Sequence, residues 1–306
     1  MKVTGLGQCS LDYIVSVKKF PKEDSKEEAI DFITQGGGPV ATALVALSRL
    51  GVKTYFTGIV SDDDVGHAIK KGLVAEGVDT RGLVVKKGGR SQRAFIVANI
   101  KNGSRTIYWQ RPVGPRFAPM ELQPGDVKAS LMRGRDFLLV DGLMMEAANR
   151  AVGLARDKKI PVMLDAGSVR PGMLKLCRLS DYVVGSEAFS NAVSPEPEET
   201  LKKISALAPR AVTITLGRRG SITWSGGGVF RAPAFRVRAV DTTGAGDVFH
   251  GGYIYGLLRG WKIEDTVSFA SAFAALKCLS PGGRTGIPGL KETLDFIKAR
   301  RADFTP

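Results

Sequence analysis

Histidine and cysteine are scarce in this 306-residue chain, with two of the first and three of the second. Two histidines, His67 and His250, are too few for a histidine-rich metal centre, and they read as surface and helix-start residues. Cys9, Cys177 and Cys278 lie far apart with no Cys-x-x-Cys spacing. That excludes a disulfide scaffold and a cysteine-based zinc site, and suggests small core or helix residues. No apolar run is long enough to span a bilayer. Gln8, Cys9, Ser10 and Asp12 interrupt the N-terminal apolar stretch, which therefore does not read as a signal peptide. The Gly-x-x-x-x-Gly-Lys-Ser/Thr pattern is missing, so any phosphate site is not of that kind. The expectation is a soluble cytoplasmic protein with no membrane partner.

What is abundant is glycine, 37 residues gathered in short clusters, and positive charge, a formal net of +14. The clusters suggest tight turns and close backbone approach to ligands. The charge concentrates between Lys86 and Arg116, where Lys86, Lys87, Arg90, Arg93, Lys101, Arg105, Arg111 and Arg116 meet no acid. The same stretch holds two runs of β-formers, 94–100 and 106–109, with Asn102-Gly103 between them as a hairpin turn. Three readings fit such a basic ribbon. It can be a nucleic-acid groove in which Tyr108 and Trp109 stack on bases. It can be a lid whose arginines meet an anionic small molecule. It can also be a solvated or dimer-forming surface.

Strand and helix signals alternate along the rest of the chain. Strands are expected at 3–7, 55–60, 137–140, 162–165, 182–184 and 212–216, and helices at 40–50, 65–76, 146–157, 201–207, 246–259, 263–279 and 290–300. This alternation implies a doubly wound α/β fold, a mostly parallel sheet with helices on both faces. Two segments break it, 12–34 and 88–112, and together they read as a small β-sheet lid on a single domain spanning 1–306.

The sharpest motif is Asp241-Thr-Thr-Gly-Ala-Gly-Asp-Val-Phe-His-Gly-Gly252. A strand over 235–240 is expected to enter a turn of Gly244, Ala245 and Gly246, with a helix beginning at Asp247. Small residues there let backbone N–H groups converge at the positive helix end and form an anion pocket. A carboxylate beside that pocket weakens anion binding, but suits a base that takes a proton from an attacking hydroxyl. An ordinary helix-start acid behind a tight turn gives the same letters.

The whole stretch resembles the C-terminal signature of the ribokinase/PfkB family of carbohydrate kinases. The resemblance covers essentially the full chain: 36–51 resembles the family's N-terminal glycine motif, 212–217 with Gly220 its nucleotide-side strand and turn, and 281–286 the loop behind the nucleotide. It implies Asp247 as catalytic base and the Gly244, Ala245, Gly246 backbone as anion hole. Asp12, taken as the end of the first strand, matches the acid that holds acceptor hydroxyls, and Gly37 and Gly38 match the glycines beneath the sugar. Ser186, Thr215, Gly217 and Gly220, with Gly244 and Gly246, would line the site of ATP and its Mg2+. Asp241, Thr243, Gly282 and Gly286 lie where many relatives bind a monovalent cation, usually potassium.

Two departures bear on specificity. Thr42 stands where the family usually has an asparagine that holds the acceptor. The Asn-x-x-Glu pattern that organises magnesium reads Ser186-Glu-Ala-Phe189, with Glu187 displaced by two. Arg170 resembles the arginine that sugar-acid kinases of the family place beside the acceptor, and Arg111 has no local carboxylate. The expected activity is ATP-dependent phosphorylation of a sugar or sugar-acid hydroxyl by a homodimer joined through its lids, the ribbon being lid rather than nucleic-acid groove. The alternatives are a nucleoside kinase of the same fold, or a catalytically idle sugar- or nucleic-acid-binding protein.

Overall fold

A computed structural model describes residues 1–300 and Phe304; of the domain expected over 1–306, residues 301–303, 305 and 306 lie outside the described residues. The described strands form two sheets. The larger has nine strands in the order β13-β12-β11-β10-β9-β8-β1-β4-β5. From one edge these are β13 (Gly228–Ala232), β12 (Ser221–Ser225), β11 (Ala211–Thr215), β10 (Tyr182–Ser186), β9 (Val162–Ala166), β8 (Phe137–Val140), β1 (Lys2–Leu6), β4 (Lys53–Ser61) and β5 (Val78–Lys86). All neighbours from β11 to β5 run parallel, and the β11–β12 and β12–β13 pairs are antiparallel.

Strands buried on both faces need continuous apolar runs, and Phe137-Leu-Leu-Val140 and Val162-Met-Leu are such runs, fully buried. Two apolar clusters cover the two faces, with α1 (Pro39–Arg49), α7 (Ala245–Leu258) and α8 (Ile263–Lys277) in one and α3 (Met145–Asp157) in the other. Chain order reverses direction at β1, whose neighbours are β8 and β4. Such a switch point opens a crevice beyond the carboxyl ends of the strands, the usual ligand position in this architecture.

The second sheet has four strands in the order β3-β2-β6-β7: β3 (Asp31–Gly37), β2 (Ser10–Val17), β6 (Arg93–Asn99) and β7 (Ser104–Gln110). Alternation splits its faces. Ile14 and Ile96 are cross-strand partners and buried, with Ile107 next in register. Tyr13, Phe95 and Tyr108 are partners on the opposite face, where Phe95 and Tyr108 are exposed.

Three expectations are corrected. Residues 235–240 take no part in either sheet; alternating Phe235, Val237 and arginines mimic a strand, but Val240 and Asp241 donate their N–H groups to the Cys278 carbonyl instead. Asp12 does not end the first strand: it is the third residue of β2. His250, expected as a helix-start residue, is buried inside α7, past its first turn. The expectation also passed over β5, whose Gly82 lies at a register shift against Tyr55–Thr57, and the short helices α4 (Met173–Leu179) and α5 (Glu187–Val193). The remaining helices are α2 (Asp64–Ala75), α6 (Pro197–Ser205) and α9 (Leu290–Lys298).

Candidate active site

Asp247 occupies the first turn of α7. The helix is entered through Gly244 at φ 74°, a left-handed conformation that only glycine adopts cheaply, and a Cβ there would press on Gly283. The Thr243 N–H and hydroxyl both donate to Asp241 Oδ1, and the Gly282 N–H donates to Oδ2 at 2.8 Å. One buried carboxylate thus ties the anion turn to the loop at 281–286. At the start of α7 the Ala245 N–H donates to the Thr242 carbonyl at 3.2 Å; first-turn N–H groups that lack an intrahelical acceptor favour an anion.

Desolvation and the neighbouring Asp165 carboxylate push Asp247 up to about 7, while His250 and Arg105 act in the other direction. Asp165, on β9, is itself raised by burial. Beyond β8, Asp141 accepts hydrogen bonds from the N–H groups of Gln8 (2.8 Å) and Leu143 (2.9 Å), yet burial still pushes it up to about 7. Asp141, Asp165 and Asp247 therefore form a row of coupled carboxylates, with His250 Nε2 3.5 Å from Asp165. His250 Nδ1 lies 2.6 Å from the Gly246 carbonyl and so braces the anion turn.

The acceptor-side residues converge from the small sheet. Asp12 is buried, its carboxylate accepts from the Ser10 hydroxyl at 2.6 Å, and a Cβ on Gly37 would collide with it. Burial raises its pKa, opposed by Ser10 and the Arg284 guanidinium. Gly38, at φ 93°, starts α1 against the Gln8 carbonyl and Cys9 Cα, where no side chain fits. Thr42 is buried, and its hydroxyl accepts from Arg284 Nε at 3.3 Å. Arg284 also donates to the Gly37 carbonyl at 3.0 Å. The nucleotide-side loop thereby reaches under the acceptor turn.

Arg111 and Arg170 come together. The Arg170 pKa is lowered first by burial and next by the Arg111 charge. Arg170 Nε donates to the Ser168 hydroxyl, and the Arg111 guanidinium lies 5.3 Å from the Trp109 ring. Neither arginine forms an ion pair among the described residues. Trp109 pairs across β6 at Ala94, and Ala94 pairs with Asp12, so Trp109 belongs to the Asp12 face.

On the nucleotide side, Ser186 and Thr215 are register partners at the carboxyl ends of β10 and β11. Gly217 (φ 56°) and Gly220 (φ 85°) make the turn after β11, and a Cβ on Gly220 would collide with the Ala232 carbonyl. Ser186 caps α5 through the Phe189 N–H and donates to the Gly167 carbonyl. Phe189 is buried, and Glu187 is paired with Arg219 at 2.7 Å. Among the described residues no group of three or more His, Cys, Asp or Glu is arranged to hold a metal ion.

Sequence reasoning missed Asp141, His250, Arg284, Trp109 and Arg105 as members of this cluster. Arg105 belonged to the basic ribbon, but its NH1 reaches across to the Thr242 hydroxyl at 2.8 Å, and that hydroxyl donates to the Gly103 carbonyl. Nothing local in the sequence marks these partners, which lie 137 and 139 positions apart.

The chain is 29% identical over 296 residues to a ribokinase of Bacillus subtilis, covering 95% of this chain and 98% of that one. It is 27% identical to a 5-dehydro-2-deoxygluconokinase of Shouchella clausii, covering 97% and 95%. The Arabidopsis thaliana ribokinase structure, complexed with ribose and ATP, superposes with a TM-score of 0.80 at 21% identity over 97% and 98% of the two chains. The family model for "pfkB family carbohydrate kinase" matches residues 2–290, and the chain belongs to that family.

Proposed function

We propose that the protein transfers the γ-phosphoryl group of ATP to a hydroxyl of an anionic sugar-type acceptor, with Asp247 as the general base. The observation that carries this reading is the pairing of two features around one crevice. A carboxylate with a pKa near 7 stands in the first turn of a helix, and the Arg111 charge acts on Arg170, whose opposing charge is Asp141 and which makes no ion pair among the described residues. A base working near neutral pH needs such a pKa. Asp12 would hold the acceptor hydroxyls, Gly37 and Gly38 would let the acceptor approach the backbone, and the N–H groups at 244–247 would stabilise charge on the transferring group. A planar guanidinium fork suits a carboxylate or a sulfonate.

ATP binding at Ser186, Thr215, Gly217 and Gly220 is supported by their shared position at the strand ends and by the fold shared with an ATP-complexed ribokinase. The side chains at 186–189 do not make a magnesium site, since the Ser186 hydroxyl is committed to the backbone and Glu187 to Arg219. Mg2+ would enter on the nucleotide's own phosphates and water.

The small sheet, with the flanking 88–92 and 111–112 segments, is read as a lid. Its outer face exposes Phe32 (76%), Phe95 and Tyr108, an apolar patch that supports a homodimer joined through the lids. Three buried free cysteines suit a reducing compartment, which supports reading the protein as cytoplasmic. No described helix is long and apolar enough to cross a membrane.

The test is a coupled ADP-release screen over neutral sugars, sugar acids, sulfosugars and nucleosides. An anionic acceptor should give the highest kcat/KM, and Asp247→Asn should lower turnover by roughly three orders of magnitude or more while ATP still binds. Near-parental turnover of Asp247→Asn overturns the assignment of the base.

A further inference from the structure

Lys277 is the last residue of α8 and is fully buried, with 0% of its surface exposed. An unbranched ammonium is seldom enclosed without a reason, because burial strips its water. Its Nζ donates to the backbone carbonyl of Asp241 at 2.9 Å. The next residue, Cys278, accepts the N–H groups of Val240 and Asp241. The end of α8 therefore grips Asp241 through both side chain and backbone, three residues before the glycine that opens the anion turn.

The same place is where the family resemblance implied a potassium ion held by Asp241, Thr243, Gly282 and Gly286. Asp241, Thr243 and Gly282 do meet, but the Asp241 oxygens that a dissociable cation would use are already engaged. Both oxygens of the Asp241 carboxylate accept hydrogen bonds, Oδ1 from the Thr243 N–H and hydroxyl and Oδ2 from the Gly282 N–H. The Asp241 carbonyl is taken by the ammonium. Gly286 packs against the Lys277 carbonyl, which a Cβ there would meet at 2.8 Å. A potassium ion needs several free oxygens in place of its water. Here it would also sit beside a like charge where little water screens the repulsion.

We infer that the Lys277 ammonium is a built-in replacement for the monovalent cation, bracing the Asp241–Thr243 turn that positions the anion hole. The inference rests on the anion-hole reading of residues 244–247. Lys277 is a positioning residue, since it acts through Asp241. It makes turnover independent of potassium or sodium.

The test compares phosphoryl transfer in potassium, sodium and tetramethylammonium chloride at one ionic strength, with the unfolding temperature followed in the same salts. The parent enzyme should give kcat/KM values within about twofold of each other and a single unfolding temperature. Lys277→Gln and Lys277→Met should lose roughly tenfold or more in tetramethylammonium and recover saturably with potassium, which also raises their unfolding temperatures. A variant that lost only packing would not acquire that dependence. Saturable activation or stabilisation of the parent by potassium overturns the inference, as does a folded Lys277→Gln whose activity is parental in every salt. Should neither variant fold, the parent's response to salt decides. If the parent phosphorylates nothing, the kinase mechanism proposed above fails, while the unfolding temperatures still decide the role of Lys277.

Discussion

At the scale of the residue, Asp247, the proposed base, is held where its charged form costs the fold stability. Its folded pKa of about 7 lies above the ordinary value of 3.8 because burial and Asp165 disfavour the carboxylate. The base form is then present only above about 7, so kcat/KM should fall about tenfold per unit as pH drops below that value. A flat profile between pH 5 and 8 would dismiss Asp247 as the base. The same shift fixes a sign for stability. A raised carboxylate binds its proton more tightly in the folded state, so its destabilisation is absent below about pH 4, grows as pH rises, and is complete above about 7. Asp247→Asn removes it, and should stabilise the protein by roughly 1–3 kcal/mol at pH 8, or about 2–6 °C in Tm, with no gain at pH 4. Calorimetry at the two pH values checks this. For the acceptor, Arg111→Ala and Arg170→Ala should each raise KM for an anionic substrate about tenfold or more and leave KM for ATP unchanged. A neutral hexose or ribose as best substrate, with both variants parental, would end the anionic reading.

At the scale of the element, the β6–β7 hairpin is a clasp. Its tip holds the anion turn through Arg105, Gly103 and Thr242, and Arg218 donates to the Asn102 carbonyl at 2.9 Å. These contacts tie the hairpin tip to the core, and they are partly exposed, so each is worth little alone. Arg105→Ala is expected to speed hydrogen exchange across residues 93–110 and to lower kcat/KM without shifting Tm by more than about 2 °C. Unchanged exchange would show that the tip does not hold the lid. On the outer face, Phe32→Glu with Phe95→Lys should convert a dimer to a monomer in light scattering, because burying those charges at an interface is costly. A parent that is monomeric at micromolar concentration removes the premise.

At the scale of the whole molecule, the proposed ligand sites lie between two sheets, the nine-stranded and the four-stranded. Anything that bridges them stabilises the folded state by mass action, about 2.7 kcal/mol at a concentration a hundred times Kd. A nucleotide analogue and the true acceptor together should therefore raise Tm by more than the sum of their separate shifts, and a thermal-shift matrix reads this directly. Strictly additive shifts would mean that the two sites do not share the lid.

Local pattern was enough for much of the molecule. Buried parallel strands demand unbroken apolar runs, so 137–140 and 162–165 were legible as strands; glycine at forced backbone angles marked 36–38 and 244–246 as close-approach turns. Asp247 stood out because the glycine turn that leads into its helix is written in adjacent residues, but the Asp165 carboxylate that helps raise its pKa lies far away in sequence. Pairing across the fold was not. Residues 235–240 carry a strand's alternation, yet the Val240 and Asp241 N–H groups go to the Cys278 carbonyl at the end of α8. Arg105 and Thr242, Arg284 and Thr42, and Lys277 and Asp241 meet through contacts spanning 137, 242 and 36 positions. A charge exposed in a flat sequence reads as surface; whether it is buried, and against which oxygen, is set by how the sheet stacks its layers, because desolvation and hydrogen bonding act through space and not along the chain.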